Sequence, residues 1–113
     1  APHHLAEDVA EIPQLIRDLG AQNLPFFYFQ EHGIGSKQKV EKAIELQQLP
    51  GFGTLDYRPI LQALRDVSFR GWAEIFMHPT PRGIPILPTA AEITAALKKS
   101  QLHIEKLLTE VNA

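Results

Sequence analysis

The chain alternates between stretches with helical spacing of apolar residues and short, nearly continuous apolar runs. Residues 5–19 place an apolar side chain every three or four positions, and Gly20 then provides a natural stop. Pro13 interrupts this stretch, so the sequence predicts either a kinked helix or a helix that begins just before Pro13. The apolar positions are Leu5, Val9, Ile12, Ile16 and Leu19.

Two apolar runs have the length and composition of strands. Residues 24–30 read LPFFYFQ and are rich in aromatic side chains, and residues 72–77 read WAEIFM. Nearly continuous apolar runs with aromatic residues are typical of strands in a parallel sheet that is covered on both faces. The sequence therefore predicts one strand in each run.

Helical spacing also appears in residues 36–49, SKQKVEKAIELQQL. Val40 and Ile44 fall on one side of a helix with 3.6 residues per turn, and Lys and Glu side chains fall on the opposite side. This pattern predicts a surface helix.

Two further helices are predicted by their start signals. Asp56 is placed to cap a helix that tolerates Pro59 in its first turn. Thr89 and Glu92 fit a capping box that opens a long closing helix. The first helix carries Ile60, Leu61, Leu64 and Val67, and the second carries Ile93, Leu97, Ile104 and Leu108.

The composition is that of an ordinary globular chain. Of the 113 residues, 44% are hydrophobic and 21% charged, with a net charge of -2 and no cysteine. Without a basic excess we expect no nucleic-acid partner, and without cysteine neither a disulfide nor a thiolate metal site can form. No apolar run approaches the roughly 20 residues that span a bilayer, and no basic leader with an apolar core opens the chain. We therefore expect no membrane partner and a cytoplasmic location.

The predicted strands are separated by helices, so we expect residues 24–30 and 72–77 to lie parallel and adjacent in one sheet. A sheet of two strands leaves backbone donors and acceptors unpaired at both edges. We therefore expect self-association, or a larger sheet of which this chain supplies a part.

Glycine, Asp and aromatic residues follow one another in a fixed order between the two predicted strands. They are Gly51 and Gly53, then Asp56 and Tyr57, then Gly71 and Trp72. With this set, residues 49–76 resemble the last quarter of the xylose isomerase-like TIM barrels, the sugar phosphate isomerase and epimerase superfamily. The resemblance implies an α/β fold in which residues 1–113 are a single C-terminal portion of a (β/α)8 barrel, with the last two βα units, a preceding helix and parallel strands.

The same resemblance implies a function. The chain would be the C-terminal part of a sugar or sugar-phosphate isomerase or epimerase, which moves a proton next to a carbonyl with the help of divalent Mn, Mg or Zn. A complete barrel needs about 250 residues, so we expect this chain to be inactive and without its metal when alone. The alternative is a non-catalytic barrel relative or an interaction module, for which the PxxP spacing of residues 85–88 is a weaker motif.

Active sites of such barrels lie at the C-terminal ends of the strands, which directs attention to five residues. The resemblance implies Glu74 and Glu31 as catalytic carboxylates, His78 and Arg82 as substrate-binding residues, and His32 and Glu74 as metal ligands. His32 is also typical of a turn before glycine, and Arg82 of an exposed loop. A carboxylate within an apolar strand is costly to bury alone, so Glu74 should face the barrel interior or pair with a neighbour.

Overall fold

The computed structural model describes residues 8–31, 41–79 and 81–112. Within these ranges the chain forms two strands, three α-helices and three short 3-10 helices. The strands are β1 (Phe26–Phe29) and β2 (Trp72–Ile75), and the α-helices are α1 (Ile12–Leu19), α2 (Arg58–Asp66) and α3 (Ala90–Asn112). The 3-10 helices are Val9–Glu11, Ala21–Asn23 and Lys42–Gln48.

The two strands pair in parallel, with Phe26 opposite Trp72 and Phe29 opposite Ile75. The pairing extends by one hydrogen bond at each end, from Trp72 N to Pro25 O at 3.0 Å and from Phe76 N to Phe29 O at 3.2 Å. The prediction of two adjacent parallel strands is confirmed. The fold is mixed helix and sheet, compatible with the α/β class.

α1 begins at Ile12, so the second of the two predicted alternatives is confirmed. Pro13 then lies in the first turn, where its missing N–H would have had no helical partner. Ile12 and Ile16 are buried, and α1 packs against α2. Gly20 ends the helix with a φ of 70°, a conformation that favours glycine.

The predicted start signal of α3 is present, whereas the N-cap of α2 is Tyr57, one residue after the predicted Asp56, and its side chain makes no capping hydrogen bond. The Asp56 carboxylate accepts a hydrogen bond from the backbone N–H of Arg58, the first residue of α2, at 3.0 Å. At α3, Glu92 N donates to Thr89 Oγ1 at 3.2 Å and Thr89 N donates to Glu92 Oε2 at 3.1 Å. The capping box is therefore confirmed.

The predicted surface helix over residues 36–49 is wrong for the part that the structure describes. Lys42–Gln48 is a 3-10 helix, in which side chains three residues apart lie one above the other. Lys42 therefore pairs with Glu45, and Glu45 and Gln48 are fully buried while Ile44 is 37% exposed. Residues 36–40, including Val40, lie outside the described residues.

The core lies on one face of the sheet. Phe27 and Phe29 point to this face and are buried against the helices, and the Phe29 and Tyr57 rings meet edge to face at 5.7 Å. The other core side chains come from α1, α2, α3 and the segment before β1. They are Ile12, Ile16, Leu24, Ile60, Leu61, Ala63, Leu64 and Leu107.

Candidate functional site at the strand ends

Polar side chains are buried where the parallel strands end. Gln30 and Glu31 directly follow β1, and they are 0% and 7% exposed. The carboxyl ends of parallel strands are where α/β folds bind ligands. Because a polar group buried without a partner is costly, the partners of these side chains define the site.

The Gln48 side chain joins the ends of both strands. Its Oε1 accepts hydrogen bonds from Gln30 Nε2 and from the backbone N–H of His78, both at 2.8 Å. Its Nε2 donates to the carbonyl oxygens of His78 at 2.8 Å and Glu45 at 3.0 Å. The backbone takes part as well, since Glu31 N donates to Gln48 O at 2.9 Å. Gln48 therefore fixes where the chain runs after β1 and after β2.

Among the described residues, the Glu31 carboxylate is anchored through one of its two oxygens. Oε1 accepts from Thr54 N at 2.9 Å and from Thr54 Oγ1 at 3.3 Å. Oε2 is buried and has no hydrogen-bond partner among the described residues, and the same is true of the Tyr57 hydroxyl. Burial, and secondarily the charge of Glu31, raise the pKa of Tyr57 above its ordinary value. The hydroxyl therefore keeps its proton at neutral pH and is a hydrogen-bond donor.

Gly53 makes room for this carboxylate. A Cβ added at Gly53 would lie 1.5 Å from Glu31 Oε2, far inside any possible contact distance. The second glycine of the Gly-x-Gly sequence is thus required by a side chain more than 20 residues earlier in the chain. Gly51 has a separate reason, because its φ of 87° lies in the left-handed region.

An open cleft of about 480 Å³ lies beside Glu31. Its walls come from the Thr54–Pro59 segment and from the residues before α1: Val9, Ala10, Thr54, Leu55, Asp56 and Pro59. Hydrogen bonds from Arg58 hold the pKa of Asp56 below its usual value, so this carboxylate is ionised at neutral pH. A ligand in the cleft would meet on one rim a carboxylate that is already paired with the Arg58 guanidinium.

A second cavity, of about 550 Å³, lies on the side of the sheet that faces the helices. It is bounded by α2, α3 and the Ser68–Arg70 segment that precedes β2. The polar side chains at the strand ends do not line this cavity. The smaller cleft beside Glu31 is therefore the better candidate for a ligand-binding site.

His78 and Arg82 follow β2. The His78 ring is half-buried and meets the Phe76 ring edge to face at 4.6 Å. Burial, and secondarily the nearby positive charge of Arg82, lower the pKa of His78, so its imidazole is neutral at pH 7. Arg82 itself is exposed, next to Gly83 with a φ of 92°.

The structure brings together only some of the predicted site residues. Glu31 and His78 are joined through Gln48, whereas Glu74 is exposed in the middle of β2 and its side chain makes no ion pair or hydrogen bond with a described residue. His32 lies outside the described residues. Over residues 8–31, 41–79 and 81–112, no three His, Asp or Glu side chains converge as metal ligands.

Several residues of the site were not predicted from the sequence. Gln30 had a usable signal, because it is the last residue of a predicted strand, at the end where ligands bind. Glu45 was assigned to the polar side of the predicted surface helix, Gln48 lay in that helix without an assigned role, and Thr54 had no signal at all. The site partners of Gln48 and Thr54 are 18 to 30 residues away in the sequence, so no local pattern reveals them.

Comparisons with protein families, with curated proteins and with solved structures find no match. In the part of the chain that the structure describes, no helix combines the length and the apolar character needed to cross a membrane. What the chain does must therefore be inferred from the geometry at the strand ends.

Proposed function

We propose that this chain is the C-terminal portion of a (β/α)8 barrel of the sugar isomerase and epimerase type, and that Glu31 moves a proton next to the carbonyl of a sugar or sugar phosphate. The observation that carries the proposal is the Glu31 carboxylate itself. It lies at the carboxyl end of a parallel strand, and Thr54 holds one of its oxygens while the other has no described partner.

This arrangement suits a general base. A carboxylate acts efficiently when one oxygen is fixed in orientation and the other is left to accept a proton. Tyr57 keeps its proton and can donate to a carboxylate or to an oxygen on which charge develops. The neutral His78 ring can hydrogen-bond a sugar hydroxyl, and the guanidinium of Arg82 suits the oxygens of a phosphate.

In a complete barrel of this type, a divalent metal would polarise the substrate carbonyl. The proposed roles within this chain are those of Glu31, Tyr57, His78 and Arg82. Glu74 and His32 would act as ligands only together with groups from the preceding strands. We accordingly propose that the 113 residues are inactive alone.

The test is proton exchange in heavy water. The polypeptide that contains the complete barrel is incubated with aldoses, ketoses and their phosphates, with and without Mn²⁺, Mg²⁺ or Zn²⁺, and NMR detects deuterium at the carbon next to the carbonyl. We expect Glu31→Gln to slow the exchange by about 10² to 10⁴. Glu105→Gln removes the same charge from the exposed side of α3 and should leave the exchange unchanged.

Three results would contradict the proposal. The 113-residue chain alone could exchange the proton, or Glu31→Gln could leave the rate of the complete barrel unchanged. If the complete barrel exchanges no proton in any substrate, the non-catalytic alternative is favoured instead.

A further inference from the structure

The sheet face that points away from the helices carries one carboxylate among aromatic rings. Phe26 lies opposite Trp72, and Tyr28 lies opposite Glu74 on the same face. Phe76, two residues after Glu74, stacks on Tyr28 with ring centroids 5.1 Å apart. We call Phe26, Tyr28, Trp72, Glu74 and Phe76 the aromatic face.

The charge of the aromatic face is not balanced within the described residues. Glu74 is exposed and pairs with no described Lys, Arg or His, and the four side chains around it are aromatic. The faces of aromatic rings are themselves electron-rich and attract cations. Carboxylate and rings therefore favour the same kind of ligand, a positively charged group with a flat or apolar surface.

The sheet beside the aromatic face also has free edges. β1 and β2 form a two-stranded sheet, so within the described residues each strand has one edge without a partner. An extended polypeptide can hydrogen-bond along such an edge while its alternate side chains reach over the sheet face. This geometry favours a polypeptide over a free small cation.

We propose that the aromatic face binds an Arg or Lys side chain carried by a polypeptide segment that covers the sheet. The basic group pairs with Glu74 and stacks on Trp72 or Tyr28, an arrangement that suits the planar guanidinium best. This inference goes beyond the proposed function, because it concerns the open sheet face and holds whether or not the complete barrel is an enzyme.

Trp72 allows a direct test, since it is the chain's only Trp and is 76% exposed. Its fluorescence is followed while the 113-residue chain is titrated with short blocked peptides in which Val alternates with Arg, or with Gln in the control peptide. We expect half-saturation at an about fivefold lower concentration for the Arg peptide. Glu74→Gln should abolish this preference, whereas Glu105→Gln should preserve it.

A salt titration of the unmodified chain tests the proposal without a variant. The preference for the Arg peptide should shrink as NaCl is added, because exposed ion pairs are screened. Equal binding of both peptides, a preference that salt leaves unchanged, or a preference that survives Glu74→Gln would overturn the proposal. So would a Trp72 signal that changes with protein concentration alone, which indicates a second copy, or one that responds to a free hexose instead.

Discussion

The two faces of the small sheet are built from neighbouring residues but have opposite surroundings. Phe27 and Phe29 are 6% and 5% exposed beneath the helices, whereas Phe26 and Trp72 on the other face are 57% and 76% exposed. The sequence of each strand is nearly continuous in apolar residues, as expected for a sheet covered on both sides. The described residues cover only one of the two faces, and the aromatic face is open among them.

The largest expected effect comes from truncating the same residue type on each face. Phe27→Ala removes a ring from the core and should cost about 3–5 kcal/mol in the free energy of unfolding. Phe26→Ala, one residue earlier on the open face, should change it by less than about 1 kcal/mol. Both free energies are measured by urea unfolding in the presence of TMAO, which keeps destabilised variants folded at the start of the titration. Similar losses for the two variants would mean that the open face is already covered.

The second-largest expected loss in the free energy of unfolding comes from breaking the hydrogen bonds at the strand ends. Gln48→Leu keeps the size of the side chain but leaves the amide of Gln30 and the backbone groups of His78 without their partners. We expect a loss of more than about 2 kcal/mol, because several buried polar groups become unsatisfied. Gln101→Leu on the exposed side of α3 is the control and should be near neutral. A neutral Gln48→Leu would show that the network does not hold the strand ends.

Gly53→Ala should have a somewhat smaller effect, of about 1–2 kcal/mol, because the new methyl group displaces the Glu31 carboxylate. In a Glu31→Ala background the same substitution should hardly change the free energy of unfolding, since the atoms that obstruct the methyl group are absent. Unfolding of the four proteins of this double-mutant cycle checks the coupling. Additive losses would contradict the contact between Gly53 and Glu31.

Part of the fold and part of the candidate site could be predicted from the sequence. The strands and the capping box of α3 depend on local patterns and were predicted, and the start of α1 at Ile12, just before Pro13, was one of two predicted alternatives. The candidate site was predicted only in part. Because ligands bind at the carboxyl ends of parallel strands, Glu31 and His78 were identified as candidates, but the Gln48 side chain that joins them was not. Gln48 lies 18 and 30 residues from Gln30 and His78, so its role appears only once the strands are paired.

The smallest expected effect is a dependence on pH. The pKa of His78 is lower in the folded chain than the ordinary 6.5, so the unfolded chain binds the proton more readily. Stability should therefore fall as the pH drops below 6.5, and level off once the pH lies below the lowered pKa of the folded state. His78→Gln should remove this part of the acid sensitivity. The measurement is the urea concentration at the midpoint of unfolding, taken between pH 7.5 and 5. If this midpoint depends on pH in the same way in the variant, His78 is not the source of the acid sensitivity.

The central claim is that the open face belongs to a sheet that further polypeptide completes. Urea unfolding of the monomeric 113-residue chain, without TMAO and followed by far-UV circular dichroism, tests it most directly. We expect a broad transition at low urea and a free energy of unfolding below about 5 kcal/mol, the lower end for stable domains. A sharp transition with a free energy well above that value, in a chain that sedimentation shows to be strictly monomeric, would contradict the claim.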